Sequence, residues 1–561
     1  MTGIMKKIQS ILFVLAIISS CSYLDFDETT GLKTKDDMYK YYPTIEQMLT
    51  NVYSYMPNPL TDAAMRDCGC DDAEHGNSAS AYQNFTNGTW SAVNTVDDAW
   101  NLYMGIRAAN SFIAEIGDVD LTRYKHDPKY ENWMKKMQYF QYEARLLRAN
   151  YFFELARRYG DIAMPLSVLD VSQANTLDKT KFSDVISYIV SECDSCSRNL
   201  PATHVGQPDK QIGRMTSGYA KALKSKALLY AASPLHNVSG DRELWKKAAS
   251  AALDMIEDGY YKLDNKDCAN LIESPEIVMV VIGGDSRTFE QNNFPIRFTQ
   301  GTRTGATGIF PSQNLVDAFE TASGYSVKLT DAGWECSDPS FNPSEPYSGR
   351  DPRFYRAILA NGMEFKGSRI ESFYGGLDDA EISAGGSPTG YFLRRYIQES
   401  TDFTPNKLVT NKHHWVVYRY AETLLTYAES MANAFPEDMN HTDSEYPYSA
   451  LWALNQVRKN ADMPDVQSCT YDVFIERLRN EWRVEFAFED HRFWDVRRWK
   501  IGDQTQREIA GVKIIRSESG EMTYHRQIYE TRTWNDRMYL YPIPQAELHK
   551  NHNLAPQNTG W

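Results

Sequence analysis

Apolar residues recur at steps of three and four along several long segments of this 561-residue chain. In EARLLRANYFFELARRYG, Ala144, Leu147, Tyr151 and Leu155 fall on one face of a helix, and Gly160 ends the pattern. The spacing returns in SGYAKALKSKALLYAAS, WKKAASAALDMIEDGYYKL, VVYRYAETLLTYAESMAN and VFIERLRNEWRVEFAFEDHRFWDVRRW. Small alanines facing large aromatic residues are typical of tetratricopeptide-type packing, although no clean period of about 34 residues is present. The sequence therefore predicts a mainly α scaffold of stacked helices.

Residues 264–412 interrupt this pattern with Gly- and Pro-rich clusters and with short β-leaning runs such as EIVMVVIGG. A second loop-rich stretch covers about residues 56–96. Long irregular segments in a compact domain are usually binding loops or disordered, and the aromatic residues scattered through both stretches argue against disorder. We therefore expect a single domain, residues 21–561. It has helical parts at about 21–263 and 413–561 and a loop-rich ligand-binding insertion with short β elements at about 264–412.

The N-terminus has the layout of a signal peptide. Lys6 and Lys7 precede an apolar run over residues 8–18, which is shorter than the roughly 20 residues that a membrane span requires. The following ISSC resembles the lipobox of bacterial lipoproteins; the alternative is an ordinary signal peptide with an incidental cysteine. We expect residues 1–20 to be removed and Cys21 to be acylated. The acidic residues after Cys21 resemble the surface-export signal of Bacteroidetes-type bacteria, which predicts a lipid-anchored protein of the outer membrane, exposed at the cell surface.

The charge and the cysteines exclude some functions. With a net charge of −15 and no basic stripe, the chain is a poor partner for nucleic acid. Cys68, Cys70, Cys193 and Cys196 could form a four-thiolate zinc site, but their spacing favours unpaired thiols or one disulfide. The acidic run CDDAE, residues 70–74, could hold a structural Ca²⁺, yet it lacks the spacing of a dedicated calcium loop. We expect no cofactor and no metal.

A series of motifs in a fixed order carries a family resemblance. They are CSYLD from Cys21, WNLYMGIRAAN from Trp100, EARLLRA from Glu143, PSQNLVD from Pro311, RDPR from Arg350, EWRVEFAFEDHRFWD from Glu481 and LYPIP from Leu540. Together they resemble the SusD/RagB family of outer-membrane nutrient-binding lipoproteins. Thr559 stands where that family usually has a proline. The resemblance implies a non-enzymatic protein whose helical repeats display loops that hold glycan and close over a SusC-like TonB-dependent transporter.

Two other functions stay open at this point. A RagB-like protein could capture oligopeptides, and a surface glycoside hydrolase would need two carboxylates across a cleft. The sequence carries no HExxH, P-loop or G-x-S-x-G motif, which argues against an enzyme. The motif EDHRFWDVRRW offers His491 and carboxylates, but its interleaved aromatic residues favour a buried ion-pair network. We assign Arg145, Arg148 and Asp161 to the architecture in the same way.

The resemblance implies ligand contacts in the segment before Trp100 and in the insertion. In the first segment the candidates are Asp67, Asp72, Tyr82, Phe85 and Trp90, with Asn87 and Asn94 as hydrogen-bonding neighbours. In the insertion they are Arg297, Arg303, Trp334, Tyr347, Phe373 and Tyr374. The alternative for each aromatic residue is packing within its own loop. Trp100, Tyr103 and Trp561 are assigned to the core.

Overall fold

The structure, a computed structural model, describes residues 34–61, 65–208, 210–266 and 271–561. The predicted signal peptide, residues 1–20, and the predicted lipidation site Cys21 lie outside these ranges. Within the ranges, no helix combines the length and the apolar character that crossing a membrane would require.

Helices make up most of the regular structure, which confirms the predicted fold class. They are α1 Lys35–Met38, α2 Tyr42–Tyr53, α3 Leu102–Ile116, α4 Tyr130–Tyr159, α5 Val171–Ala174, α6 Phe182–Ser197, α7 Ser217–Ala232, α8 Arg242–Asp258, α9 Thr288–Asn293, α10 Gln313–Val316, α11 Pro352–Ala357, α12 Tyr420–Ala434, α13 Ala450–Asn460, α14 Tyr471–Glu485, α15 Arg492–Arg498, α16 Gly502–Thr505 and α17 Gln545–Lys550. In α4 the predicted apolar face, including Leu147 and Tyr151, is fully buried. The helix ends at Gly160, whose φ of 72° is strained for a residue with a side chain.

The longer helices form a continuous stack. α3 packs against α4, α4 against α6, α6 against α7, and α7 against α8. The stack then continues from α8 to α12 and from α12 to α13. α8 ends at Asp258 and α12 begins at Tyr420, so the loop-rich insertion separates in sequence two helices that touch in space. The boundaries that we proposed for the three parts of the chain stay predictions.

The strands are short and pair in twos. They are β1 Ala73–His75, β2 Ile162–Ala163, β3 Lys179–Thr180, β4 Ile277–Val281, β5 Asp285–Ser286, β6 Ile309–Pro311, β7 Val327–Thr330, β8 Gly333–Cys336, β9 Ile358–Leu359, β10 Glu364–Phe365, β11 Ser368–Arg369, β12 Phe392–Leu393, β13 Asn411–Lys412, β14 Trp415–Arg419, β15 Glu508–Arg516 and β16 Met522–Thr531. The antiparallel pairs are β1–β6, β2–β3, β4–β14, β5–β13, β7–β8, β9–β12, β10–β11 and β15–β16. The run EIVMVVIGG supplies β4, and its partner β14 leads directly into α12.

The hairpin of β15 and β16 lies in the C-terminal part, residues 413–561, which we expected to be helical. Its strands have nine and ten residues. Ile509, Val512 and Ile514 of β15 are buried, whereas β16 is half-buried or exposed along its length. The amide of Ser517 donates to the carbonyl of Glu521 at 2.8 Å and closes the turn between the strands. The C-terminal part is therefore mixed rather than helical throughout.

The loop-rich stretch before α3 joins two hydrophobic cores. Cys68 and Ala73 belong to the core of the insertion, whereas Phe85 and Trp90 belong to the core of the N-terminal helices. β1 of this stretch pairs with β6 of the insertion, and the hydroxyl of Ser312 donates to the carbonyl of Asp71 at 2.6 Å. The two loop-rich segments are thus one packed unit, although more than 150 residues of sequence separate their paired strands.

The motif EDHRFWDVRRW and the end of α14 lie in a buried ion-pair network. Glu485 binds Arg353 at 2.7 Å and Arg419 at 2.6 Å, and Glu489 binds Arg395 at 2.7 Å and Arg419 at 2.8 Å. Burial alone would raise the pKa of Glu485, but the guanidinium groups of Arg419 and Arg353 lower it to about 2. Glu485 is therefore ionised, and both carboxylates are already bound to arginines, which supports their architectural reading.

The other residues that we assigned to the architecture also have internal partners. His491 lies 3.4 Å from Glu422, and Arg492 binds Asp71 at 2.8 Å. The remaining contacts are Arg145 with Glu192, Arg148 with Asn110, and Asp161 with the amide of Phe182. Each contact joins two elements that are distant in sequence, so the charged motifs connect the helices to one another and to the loops.

Candidate functional site

The aromatic candidates of the first loop-rich segment turn into the protein. Phe85 and Trp90 are each only 2% exposed. The ring centroid of Phe85 lies 5.0 Å from that of Phe493, and the ring of Trp90 lies 4.8 Å from both Tyr541 and Trp561. In this conformation the two side chains hold the segment against the C-terminus and offer no surface to a ligand.

Tyr82, Asn87 and Asn94 lie nearer the surface of the same segment. Tyr82 is half-buried, and its ring lies 6.1 Å from that of Phe85. Both asparagines are exposed, but they also shape the loop: the oxygen of Asn87 accepts from the amide of Thr89 at 2.9 Å, and the side-chain amide of Asn94 donates to the carbonyl of Thr89 at 3.0 Å.

The acidic candidates Asp67 and Asp72 are buried. Asp72 accepts a hydrogen bond from Nε of Arg483 at 2.7 Å, whereas neither carboxylate oxygen of Asp67 has a hydrogen-bond partner among the described residues. Burial, reinforced by the carboxylates of Asp72 and Asp490, raises the pKa of Asp67 well above its ordinary value. Asp67 is therefore a buried acid whose ionised form is disfavoured, rather than a surface acceptor.

The run CDDAE does not provide a favourable cation site. Cys70, Asp71 and Asp72 present a thiol and two carboxylates within 4.8 Å of one another, the one such group in the part of the chain that the structure describes. Arg483 binds both carboxylates, at 3.0 and 2.7 Å, and Arg492 also binds Asp71. Because these guanidinium groups already neutralise the carboxylates, the electrostatics disfavour Ca²⁺ at this position.

The cysteines do not form the four-thiolate site that their spacing allowed. Cys68 and Cys70 belong to different hydrophobic cores, and Cys193 and Cys196 are buried on α6. All six cysteines within the described ranges are free. The short Cys-x-Cys spacing therefore reflects two thiols that point into opposite sides of one loop.

The four aromatic candidates of the insertion lie around the β15–β16 hairpin. The ring centroid of Trp334 lies 6.1 Å from that of Tyr347 and 6.0 Å from that of Tyr524 on β16. Tyr347 is buried, and its hydroxyl lies 3.1 Å from that of Tyr391. Arg303 is also buried away from this group, and burial lowers its pKa to about 10. Trp334 is thus half-buried, like Tyr524, in an aromatic group packed against β16.

Tyr374 is the one candidate whose side chain stands well out of the protein, with 51% of its surface exposed. Its amide donates to the carbonyl of Ile514 at 2.7 Å, which fixes its loop along β15. The ammonium of Lys513 lies 4.9 Å from the ring centroid, and Ile515 is exposed two residues further along the strand. The same loop exposes Leu377 and Ile382. We name these five residues the Tyr374 surface.

Buried polar contacts hold the loop of the Tyr374 surface in place. Asp378 is fully buried; it binds Nε of Arg297 at 2.9 Å and accepts from the amide of Glu371 at 2.9 Å. The preceding Phe373 is buried under the guanidinium of Arg516, 4.0 Å from its ring centroid. Arg297 and Phe373 thus support the exposed ring of Tyr374 rather than standing beside it at the surface.

The arrangement combines a fixed aromatic ring with apolar neighbours and a cation. A ring of this kind can pack against the apolar face of a sugar, and the hydrogen-bonding groups beside it can fix the orientation of the hydroxyls. Sequence reasoning missed Leu377, Ile382, Lys513 and Ile515. The available signal was the alternation of β15, which places Lys513 and Ile515 on one face of the strand. Whether the eleven predicted residues contact a ligand stays a prediction.

Comparison with known proteins assigns the family. The profile of the SusD family matches residues 275–561, just over half of the chain. The chain belongs to the SusD family. The matched region contains the insertion from β4 onward, the ion-pair motif and the hairpin that supports the Tyr374 surface. Membership confirms the resemblance drawn from the sequence motifs.

Individual relatives of this SusD-family chain match it over nearly its whole length. SusD-like protein P2 of Formosa agariphila is 22% identical over 99% of this chain and 100% of its own. A SusD-like protein from Bacteroides fragilis has the same fold, with a TM-score of 0.75 and 24% identity over 94% of this chain and 99% of its own. A laminarin-binding SusD-like protein superposes with a TM-score of 0.57 and 20% identity, over 92% and 99% of the two chains.

Proposed function

We propose that this SusD-family protein is a non-catalytic glycan-binding protein that presents oligosaccharide at the Tyr374 surface. The observation that carries the proposal is the exposed ring of Tyr374, on a loop that is hydrogen-bonded to β15 and held by the ion pair of Asp378 with Arg297. Aromatic rings that are fixed before binding lose little conformational entropy when a ligand packs on them. Family membership supports carbohydrate as the ligand class.

The charged motifs support binding rather than catalysis. The carboxylates of Glu485 and Glu489 each bind two arginines within the protein, and both side chains are buried. A general acid or base must reach its substrate within hydrogen-bond distance, directly or through one water. Carboxylates that are already committed to guanidinium groups are unsuited to that role.

We further propose that the protein is tethered to the outer membrane through Cys21 and delivers its ligand to a SusC-like transporter. The support is the lipobox at residues 18–21 and the family of the chain. Two or more acyl chains give stable anchoring, and a tether raises the concentration of a weak binder beside its partner. Co-purification of a transporter with the tagged full-length protein from native membranes would test the delivery step.

Glycan binding is tested by comparing the wild-type protein with Tyr374→Ala on a glycan array, followed by calorimetry with the best ligand. We expect the affinity of the variant to fall by about tenfold or more, because truncation of a central aromatic contact typically costs over about 1 kcal/mol. The thermal midpoint should not change, since half of the side chain is already exposed.

Tyr325→Ala is the matched control, because Tyr325 is a tyrosine of the insertion with 42% of its surface exposed that lies outside the Tyr374 surface. It should retain wild-type affinity. Equal affinity for the wild type and Tyr374→Ala would remove the proposed site, and cleavage of the ligand by the wild type would contradict the absence of catalysis.

A further inference from the structure

A second concave surface lies on the N-terminal helices. One wall is the N-terminal half of α4, which contributes Asn132, Lys135, Lys136 and Tyr139 at helical spacing. The other wall is the connection between α6 and α7, with Pro201 and Gln207, and Tyr260 lies beside it. The space between the walls has a volume of about 490 Å³, which falls in the range of small-ligand pockets. We name it the α4 groove.

Two hydrogen bonds hold the start of the second wall of the α4 groove. The carbonyl of Pro201 accepts from the amide of Ser217 at 2.8 Å, and the carbonyl of Ala202 accepts from the hydroxyl of Tyr261 at 3.2 Å. Tyr261 is buried, whereas the adjacent Tyr260 has 57% of its surface exposed. One tyrosine therefore anchors the chain, and the next presents its ring at the edge of the groove.

Among its described residues the α4 groove has more basic than acidic side chains, in contrast to the chain as a whole, whose net charge is −15. Its one acidic residue among those described is Glu143, which Arg214 binds through two hydrogen bonds of 2.9 Å. The ammonium groups of Lys135 and Lys136 have no carboxylate within 4.0 Å in the part of the chain that the structure covers. Two lysines without a carboxylate partner among the described residues therefore line the groove, and Glu143 beside them is already bound to Arg214.

We propose that the α4 groove is a second carbohydrate site that takes an acidic saccharide. Lys135 and Lys136 bind its carboxylate or sulfate group, and the ring of Tyr260 packs against its sugar ring. Lysine acts as a point charge without the planar fork of arginine. The pair can therefore bind either a planar carboxylate or a tetrahedral sulfate. The side-chain amides of Asn132 and Gln207 are placed to bind hydroxyls. The choice of sugar as the ligand rests on the proposed glycan-binding function, whereas the negative charge rests on the two lysines alone.

The test uses three galactose-based polymers: a neutral galactan, a sulfated galactan and polygalacturonate. Binding to the purified protein is measured at about 20 mM and about 300 mM salt, which separate charge-dependent from charge-independent affinity. The wild type should bind an acidic polymer more tightly than the neutral one at low salt. The double variant Lys135→Gln/Lys136→Gln should lose about tenfold of this affinity at low salt and less at high salt.

Lys328→Gln/Lys407→Gln is the matched control, since it removes the same charge from two lysines that are exposed outside the groove. It should bind like the wild type. The two acidic polymers distinguish a carboxylate site from a sulfate site. The proposal is overturned if the wild type binds neither acidic polymer, if Lys135→Gln/Lys136→Gln binds like the wild type, or if the control loses affinity equally.

The Tyr374→Ala variant in the same series separates this proposal from the preceding one. If Lys135→Gln/Lys136→Gln loses binding to the acidic polymers and Tyr374→Ala keeps its binding to neutral glycan, the α4 groove is supported as a site. The Tyr374 surface is then contradicted as a site. If the lysine variant keeps its binding to the acidic polymers and Tyr374→Ala loses its binding to neutral glycan, the Tyr374 surface is supported and the α4 groove is contradicted.

Discussion

Replacing Arg419 by alanine should destabilise the protein strongly, because three buried carboxylates share its guanidinium. The distances are 2.7 Å to Glu276, 2.6 Å to Glu485 and 2.8 Å to Glu489. In the variant, Glu485 keeps Arg353 and Glu489 keeps Arg395, but Glu276 has no other guanidinium among its described contacts. Arg419→Ala therefore leaves one buried carboxylate without a counter-charge.

Two arguments give a similar magnitude. Removing one member of a buried ion pair costs about 3–5 kcal/mol. The pKa of Glu485 is lowered from 4.5 to about 2 by Arg419 and Arg353 together, and a shift of this size corresponds to about 3 kcal/mol of preferential binding to the ionised form, of which Arg419 supplies a part. We expect the free energy of unfolding, measured by urea denaturation and far-UV circular dichroism, to fall by about 3–5 kcal/mol.

The matched control is Arg242→Ala. Arg242 binds Glu437 at 2.9 Å, but both side chains are more than half exposed, so its loss should cost less than about 1 kcal/mol. The pH dependence gives a second check. A carboxyl group with a lowered pKa stabilises the fold above its unfolded pKa, and this stabilisation is lost as the pH falls towards the folded value of about 2.

The difference in stability between the wild type and Arg419→Ala should therefore be greatest above about pH 4.5 and shrink at lower pH. This account of the network is refuted if Arg419→Ala lowers the free energy of unfolding no more than Arg242→Ala does. It is also refuted if the loss for Arg419→Ala is the same at about pH 3 and about pH 7.

Three further outcomes are expected. Cys21→Ala should move the protein from the membrane to the soluble fraction of cells, and unchanged sedimentation would contradict lipid anchoring. Gly283→Ala should lower the free energy of unfolding by about 1–3 kcal/mol, because its Cβ would lie 1.8 Å from the carbonyl oxygen of His413. The neighbouring Gly284→Ala has open space around its Cβ and should lower it less. Equal thermal midpoints for the two variants would contradict this expectation. Asp67→Asn should stabilise the protein relative to the wild type, and the gain should increase as the pH rises from about 4 to about 7. The reason is that the raised pKa of Asp67 makes its ionisation unfavourable in the folded state. A difference in the free energy of unfolding that stays constant across this pH range would contradict the burial of an uncompensated acid.

The helices could be predicted from the sequence because their apolar residues repeat at helical spacing. The face of α4 around Leu147 and Tyr151 is buried where the periodicity placed it. The β15–β16 hairpin was missed, although its sequence carries the alternation of a strand around a Ser-Gly turn. The expectation of a helical C-terminal part rested on two helical patterns, VVYRYAETLLTYAESMAN and VFIERLRNEWRVEFAFEDHRFWDVRRW, which both precede the hairpin.

The candidate site could be predicted only in part, because aromatic residues in loops serve two purposes that sequence alone does not separate. Trp90 and Tyr374 both lie in loops among polar residues, yet Trp90 is buried against the C-terminus and Tyr374 is exposed. The difference depends on Tyr541 and Trp561 for Trp90 and on Ile514 for Tyr374, all distant in sequence. Such long-range contacts leave no local pattern.

The contact between α8 and α12 determines when the chain can finish folding. Until Tyr420 and the residues after it have been made, α8 packs against α7 but lacks its second partner, and closing so long a loop carries an entropic penalty. Contacts between such distant segments slow folding and leave apolar, aggregation-prone surfaces exposed until the contacts form. The chain would therefore depend on protection from aggregation until the residues of α12 have been made.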